Sequence, residues 1–337
     1  MSDSPAAPEA ASAAPVDPLQ RSRTIVAWLV VVATLGLFSP LTASMPWRGD
    51  CASYVLAITF EAVPWILLGA LISGLIESLV PRAWLPRIAA RLGPAGVPVT
   101  AIVAPAFPTC ECGVVPIVRS LLRKGLPPAH ALTYLLAAPV LNPVVLFTTW
   151  LAFQDGRMVA LRAGGAVLIA IIGGLLLTRS GTVFANMAAV HGHSHDHHHG
   201  TSLLQRAGHL AEHVFEDFVE MMVFFLFGVL IAAALRTFLG ANVLSVLGDS
   251  EVTGTLTMMG TAFVMSLCSE ADAFLAVTFT EFSRGALLAF LVFGPMCDLK
   301  LLVMFRAIMP PRAILILVVY LVFSCAFYAL AAGSLFL

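Results

Sequence analysis

The chain has 337 residues, 59% hydrophobic and only 11% charged. A soluble domain carries about 25% charged residues, so the bulk of this chain is built for lipid. No basic, aromatic-interleaved stretch points to nucleic acid, and six cysteines scattered among apolar segments do not form the pattern of a secreted disulfide scaffold.

In chain order, residues 1–23 open with "MSDSPAAPEAASAAPVDPLQ", which lacks apolar periodicity and predicts a disordered tail. The apolar run from about Thr24 is longer than a signal-peptide core of about 7–15 residues, so 24–52 reads as a first span and its loop, with a cleaved signal as the minor alternative. Apolar runs follow at 54–80, 127–152, 158–178, 211–239, 285–306 and 312–334. With 24–44 they make about seven full spans. Two further segments, 97–125 and 253–283, are apolar but interrupted, and nine full spans is the alternative if both cross. The long polar interval is 179–210.

The two halves, 53–178 and 211–337, share landmarks in one order. "FEAVPWILLGALISGLIESLVP" matches "FVEMMVFFLFGVLIAAALRTFLG", pairing Glu61 with Glu220 and Gly69 with Gly228. "FPTCECG" falls opposite "SLCSEAD", pairing Cys110 with Cys268, and the later segments pair Pro139 with Pro295 and Asn142 with Asp298. Interrupted segments at matching places in two halves are a sign of a transporter binding site. If both are re-entrant and the N-terminus is cytoplasmic, most of the arginines, including Arg119 and Arg123, lie inside with Lys124. Arg48, Arg157, Arg162, Arg236 and Arg284 then lie outside, which satisfies the positive-inside bias. That arrangement makes the halves inverted repeats. The expected fold is an all-α polytopic membrane protein with two inverted repeats and two broken or re-entrant helical segments.

Pro105, Pro108 and Gly113 mark "PTCECG" as the tip of a broken element inside the protein. Cys110 and Cys112 offer soft sulfur ligands and Glu111 a carboxylate, a set that suits Cu(I), Zn or trivalent arsenicals. The matching turn supplies Cys268, Glu270 and Asp272; "NP" and "CDLK" add Asn142, Cys297, Asp298 and Lys300. The plainer alternatives are that Asp298 and Lys300 pair with each other and that Glu61 and Glu220 cap span starts. Cys51 and Cys325 read as core residues, Glu77 and Glu281 as interfacial ones.

"CECGVVPIVRSLLRKGLPPAHALTYLLAAPVLNPVV" and the later "CSEADAF…AFLVFGPMCDLKLLVMF" resemble the YraQ-like predicted permeases of bacteria, the family that includes the organoarsenical efflux permeases. The resemblance runs from about Thr24 to the end. It implies a polytopic inner-membrane permease with a cysteine-containing site. Cys110 and Cys112 match its CxCG motif, and Asn142 and Pro143 its NP motif. Cys268, Asp272, Pro295, Asp298 and Lys300 match its second-half motif. It leaves the substrate open among organoarsenicals, copper and zinc.

"HGHSHDHHHG" adds a dense imidazole cluster of His191, His193, His195, His197, His198 and His199, a tract that takes Zn or Cu as an accessory metal. Under the topology above it is cytoplasmic, like the N-terminus. The expectation is a non-enzymatic permease for a thiophilic metal, metalloid or organo-metalloid, working as an efflux system by alternating access. Its substrate site comprises Cys110, Glu111, Cys112, Asn142, Cys268, Glu270, Asp272, Asp298 and Lys300. No tightly bound cofactor and no nucleic acid are expected; the partners are lipid, a small ionic or metalloid substrate and a companion membrane subunit. The alternatives are a membrane thiol-redox enzyme using Cys110 and Cys112, and a non-transporting metal-sensing subunit.

Overall fold

The computed structural model describes residues 18–39, 45, 47–81, 83–107, 109–179, 203–239 and 250–336. The expected histidine cluster at 191–199 and most of the expected tail lie outside the described residues. Within them every regular element is a helix. In chain order the α-helices are α1 (Pro18–Phe38), α2 (Trp47–Leu79), α3 (Trp84–Leu92), α4 (Gly96–Val103), α5 (Glu111–Arg123), α6 (Pro128–Leu141) and α7 (Pro143–Phe153). They continue with α8 (Gly156–Arg179), α9 (Leu203–Leu239), α10 (Glu251–Met265), α11 (Asp272–Ala276), α12 (Arg284–Phe293), α13 (Leu299–Phe305) and α14 (Pro311–Phe336).

Five described helical rods are long and apolar enough to cross a bilayer: Trp47–Leu79, Pro128–Phe153, Gly156–Leu176, Leu210–Thr237 and Pro311–Leu335. The sequence predicts seven full spans, and one of them differs in the structure. Within the described residues the apolar part of α1 covers Thr24–Leu37, and residues 40–44 of the expected first span lie outside them. The run 285–306 is two helices, α12 and α13, separated by a turn over 294–298. Pro295 has no backbone donor to continue α12, and Asp298 starts the next helix by accepting a hydrogen bond from Leu301 N at 2.7 Å.

Both interrupted segments are broken, the first at its prolines and the second at its run of polar residues. In the first, α4 gives way to a short turn at Ala104–Ala106 and extended backbone at Phe107 before α5 begins at Glu111. Helix α5 ends at Arg123, and Gly125, two residues on, has φ 85°, the left-handed conformation glycine favours. Gly125 N donates to Leu122 O, and Leu126 N to Leu121 O, which folds the chain back into α6. In the second, α10 stops where Ser266 adopts φ 43°, and only the five-residue α11 follows. The rod Pro128–Phe153 also carries a break, at Asn142. Pro143 keeps the residue before it out of helical geometry, and Asn142 caps α7 by accepting from Val144 N at 3.0 Å.

The two long helices α2 and α9 pack side by side. They run antiparallel: Tyr54 lies under Arg236 at one end, and Ser73 donates to Asp217 at the other. Helix α5 lies on α2 and α13 lies on α9. Glycines permit both approaches. A methyl group on Gly69 would collide with the Gly113 backbone, one on Gly113 would sit 2.7 Å from the Trp65 carbonyl, and one on Gly228 would sit 2.6 Å from Lys300 Cα. Around this centre α6 packs on α8, and α12 packs between α10 and α14.

The basic run at the end of α5 does not simply reach an interface. Arg119 pairs with Glu220 at 2.6 Å and Asp217 at 3.5 Å, Arg123 with Asp217 at 3.0 Å, and Lys124 with Glu77 at 3.5 Å. Arg119 and Lys124 are buried. Three cations thus face three carboxylates and tie the end of α5 to α2 and α9, where unpaired charge would be costly.

Candidate functional site

Four helices begin at the centre of the bundle, each just after a break: α5 at Glu111, α7 after Asn142, α11 at Asp272 and α13 after Asp298. The first turns of a helix present unpaired N–H groups and a positive dipole end, which favour nearby carboxylates. Glu111 and Asp272 are first-turn residues, and Asn142 and Asp298 are caps. Paired by sequence, Asn142 and Asp298 hold the same structural office in the two halves.

The thiols converge on one point. Cys110, extended at φ −73° and ψ 174°, ends the first break. The ligand atoms of Cys110, Glu111 and Cys268 all lie within 4.8 Å of one another, and all three residues are buried. Cys268 Sγ donates to Glu270 Oε2 at 2.7 Å. Glu111 is held from the opposite turn: Ser269 Oγ donates to its Oε2 at 2.9 Å.

Lys300 closes the site from below. Its Nζ is 2.9 Å from Glu111 Oε1 and 3.3 Å from Asp298 Oδ2, and it donates to the carbonyls of Ser266 and Leu267 at 2.9 and 3.1 Å. The pairing of Asp298 with Lys300 is therefore present, but Glu111 is the shorter contact. The lysine also fixes the turn that carries Cys268.

Asp272 is engaged elsewhere. Arg162, buried on α8, grips it with two bonds of 3.0 and 2.6 Å and bonds Thr149 Oγ1 at 2.7 Å. Among the expected site residues the structure thus gathers Cys110, Glu111, Cys268, Glu270, Asp298 and Lys300, while Cys112 is buried in the first turn of α5. It uses Asn142 as a helix cap and Asp272 as the anchor of α11. Cys297 is buried beside Asp298. Sequence reasoning missed Ser269 and counted Arg162 only as an outer-side charge, although its place five residues into an apolar run was the available signal. For Glu61 it offered span capping as the plainer alternative; the Glu61 carboxylate lies within 4.8 Å of the Cys268 and Glu270 ligand atoms.

An all-helical, multi-pass membrane chain whose broken helices meet at a buried site of thiols and charges belongs to the class of permeases. Residues 49–333 match the family model described as "Predicted permease", and the chain belongs to that family. It is 38% identical over 274 residues to UPF0718 protein YcgR of Bacillus subtilis (strain 168), covering 80% of this chain and 92% of that protein. It is 36% identical over 282 residues to a Streptococcus mutans protein named as a subunit of a two-component membrane permease complex, covering 81% of this chain and 90% of that protein. No solved structure matches the chain.

Proposed function

We propose that this permease moves a thiophilic metal, metalloid or organo-metalloid out of the cell across the inner membrane. The observation that carries the reading is the meeting of Cys110, Glu111 and Cys268, from broken elements in different halves, within 4.8 Å. Two thiols and a carboxylate suit a soft or borderline species far better than a hard cation or an ordinary solute.

Alternating access between two inverted repeats is the mechanism this supports. The sequence-paired helices α2 and α9 run antiparallel. Across the halves, α5 packs on α13 and α11 on α7, which exchange under the same pairing. Rocking one half against the other would open the shared site first to one side and then to the other. The positive-inside bias places the N-terminus and the histidine cluster in the cytoplasm, where the cluster would gather metal rather than form the transport site. The printed name of the streptococcal relative supports a companion membrane subunit.

The test is transport by the purified chain in proteoliposomes, offered Zn(II), Cu(I), arsenite and methylarsenite in turn, with and without the companion. Movement of at least one of these but not of an alkali cation supports the reading. Movement of none under either condition overturns it.

A further inference from the structure

We propose that Glu61, Cys268 and Glu270 form a second, outer station for a divalent cation, joined to the inner station of Cys110, Glu111 and Cys268 through the shared Cys268 sulfur. The proposal deepens the transport reading above and rests on it. The outer ligand atoms also lie within 4.8 Å of one another. Unlike the inner set, Glu61 and Glu270 are only partly buried, while Cys268 is 4% exposed.

Charge accounting singles out this pair. The other buried or half-buried acids have cations: Glu77, Asp217 and Glu220 face Arg119, Arg123 and Lys124; Glu111 and Asp298 share Lys300; Asp272 has Arg162 and Asp155 has Arg284. Among the described residues Glu61 and Glu270 have no ion-pair partner. Glu270 Oε1 is in addition buried without a hydrogen-bond partner. Two spare carboxylates flanking a thiol inside a membrane protein are costly unless a cation or water reaches them.

Local structure explains why they meet. Glu61 lies seven residues after Tyr54, on the same stripe of α2, and the Tyr54 hydroxyl donates to Met265 O at the end of α10. That bond brings the stripe against the 266–270 turn, from which Cys268 and Glu270 project.

The two stations differ in softness. Two carboxylates and one sulfur suit Zn(II) or Cd(II); two sulfurs and one carboxylate are softer. An ion taken first by Glu61 and Glu270 can keep its bond to Cys268 while exchanging the carboxylates for Cys110 and Glu111. The Cys268 proton, now donated to Glu270, is what the ion displaces. A neutral trivalent arsenical needs the sulfurs but gains little from the outer carboxylates. The outer station therefore selects divalent cations.

The experiment is binding of Zn(II), Cd(II) and methylarsenite to the full chain in lipid nanodiscs, by calorimetry and by the thiolate-to-cadmium absorption band. Glu61→Gln and Glu270→Gln should each weaken Zn(II) by about ten- to a hundredfold, the scale seen even for second-shell losses at metal sites, and leave methylarsenite unchanged. Glu61→Asp should recover much of the Zn(II) affinity. Cys268→Ser should weaken all three probes, and Cys110→Ser should reduce the cadmium band without abolishing carboxylate-dependent Zn(II) binding. If both glutamine variants bind Zn(II) as the parent does while the serine variants fail, the outer station is wrong and the inner site stands. If the parent binds none of the probes, the transport reading falls and this proposal with it. Should Glu61→Gln not fold, Glu270→Gln, in the turn rather than on α2, decides the matter.

Discussion

Lys300 Nζ lies 2.9 Å from Glu111 Oε1, joining half-helices from opposite halves of the chain, with both side chains fully buried. The same ammonium serves Asp298 and two carbonyls of the turn that carries Cys268. Removing it strands two carboxylates in a low-dielectric site. Lys300→Met should lower stability by about 3–5 kcal/mol, the usual cost of breaking a buried ion pair from one side. Adding Glu111→Gln and Asp298→Asn should recover a large part of the loss. Thermal unfolding of the detergent-solubilised variants measures both effects; a triple variant no more stable than Lys300→Met would mean that the charges are not what Lys300 holds.

Asp272 and Arg162 form a second buried pair, and its consequence differs. The carboxylate anchors α11 to α8. Asp272→Asn and Arg162→Leu should each reduce folded yield, yet the folded fraction should bind a thiophilic probe with parent stoichiometry. Size-exclusion recovery followed by a binding titration separates the two. Lost stoichiometry with full recovery would return Asp272 to the binding site.

The crossing of α2 and α5 depends on two glycines. Gly69→Leu would drive a side chain into the Gly113 backbone, which cannot yield as a flexible side chain can. Little folded protein should be recovered. Gly156→Ala, where a Cβ meets nothing within 4 Å, is the matched control and should express normally.

The ionic cluster of Arg119 and Glu220 should obey charge exchange. Arg119→Glu places a third negative charge beside Asp217 and Glu220, with Arg123 still facing Asp217, and should destabilise by several kcal/mol. Combining it with Glu220→Arg should restore folding and part of transport. Failure of the exchange, measured by yield and by transport rate, would show that geometry at Arg119 matters beyond its charge.

Much of this was legible in the sequence, and the reasons are physical. Proline, glycine and polar residues within an apolar run announce a broken helix, so both interruptions could be placed. Asn142 and Asp298 could be matched because capping uses few residue types, and both prove to be caps. The span count was not legible. Apolar composition in 285–306 conceals a turn that Gly294 and Pro295 hint at. Nor could the partners of charged residues be read: Arg162 meets Asp272, and Glu61 meets Cys268, only because helices far apart in the chain cross there.

The central claim is that thiols from both halves bind the transported species together. It is tested most directly by initial transport rates in proteoliposomes for the parent, Cys110→Ser and Cys268→Ser, using whichever thiophilic substrate the parent moves. Serine keeps the size and polarity of each turn but replaces a soft ligand with a hard, poorly ionised hydroxyl. The account predicts that both variants insert and fold normally and that both fall to the background rate. Parent-level transport by both would contradict it and leave the cysteines as structural residues of a permease for some other solute.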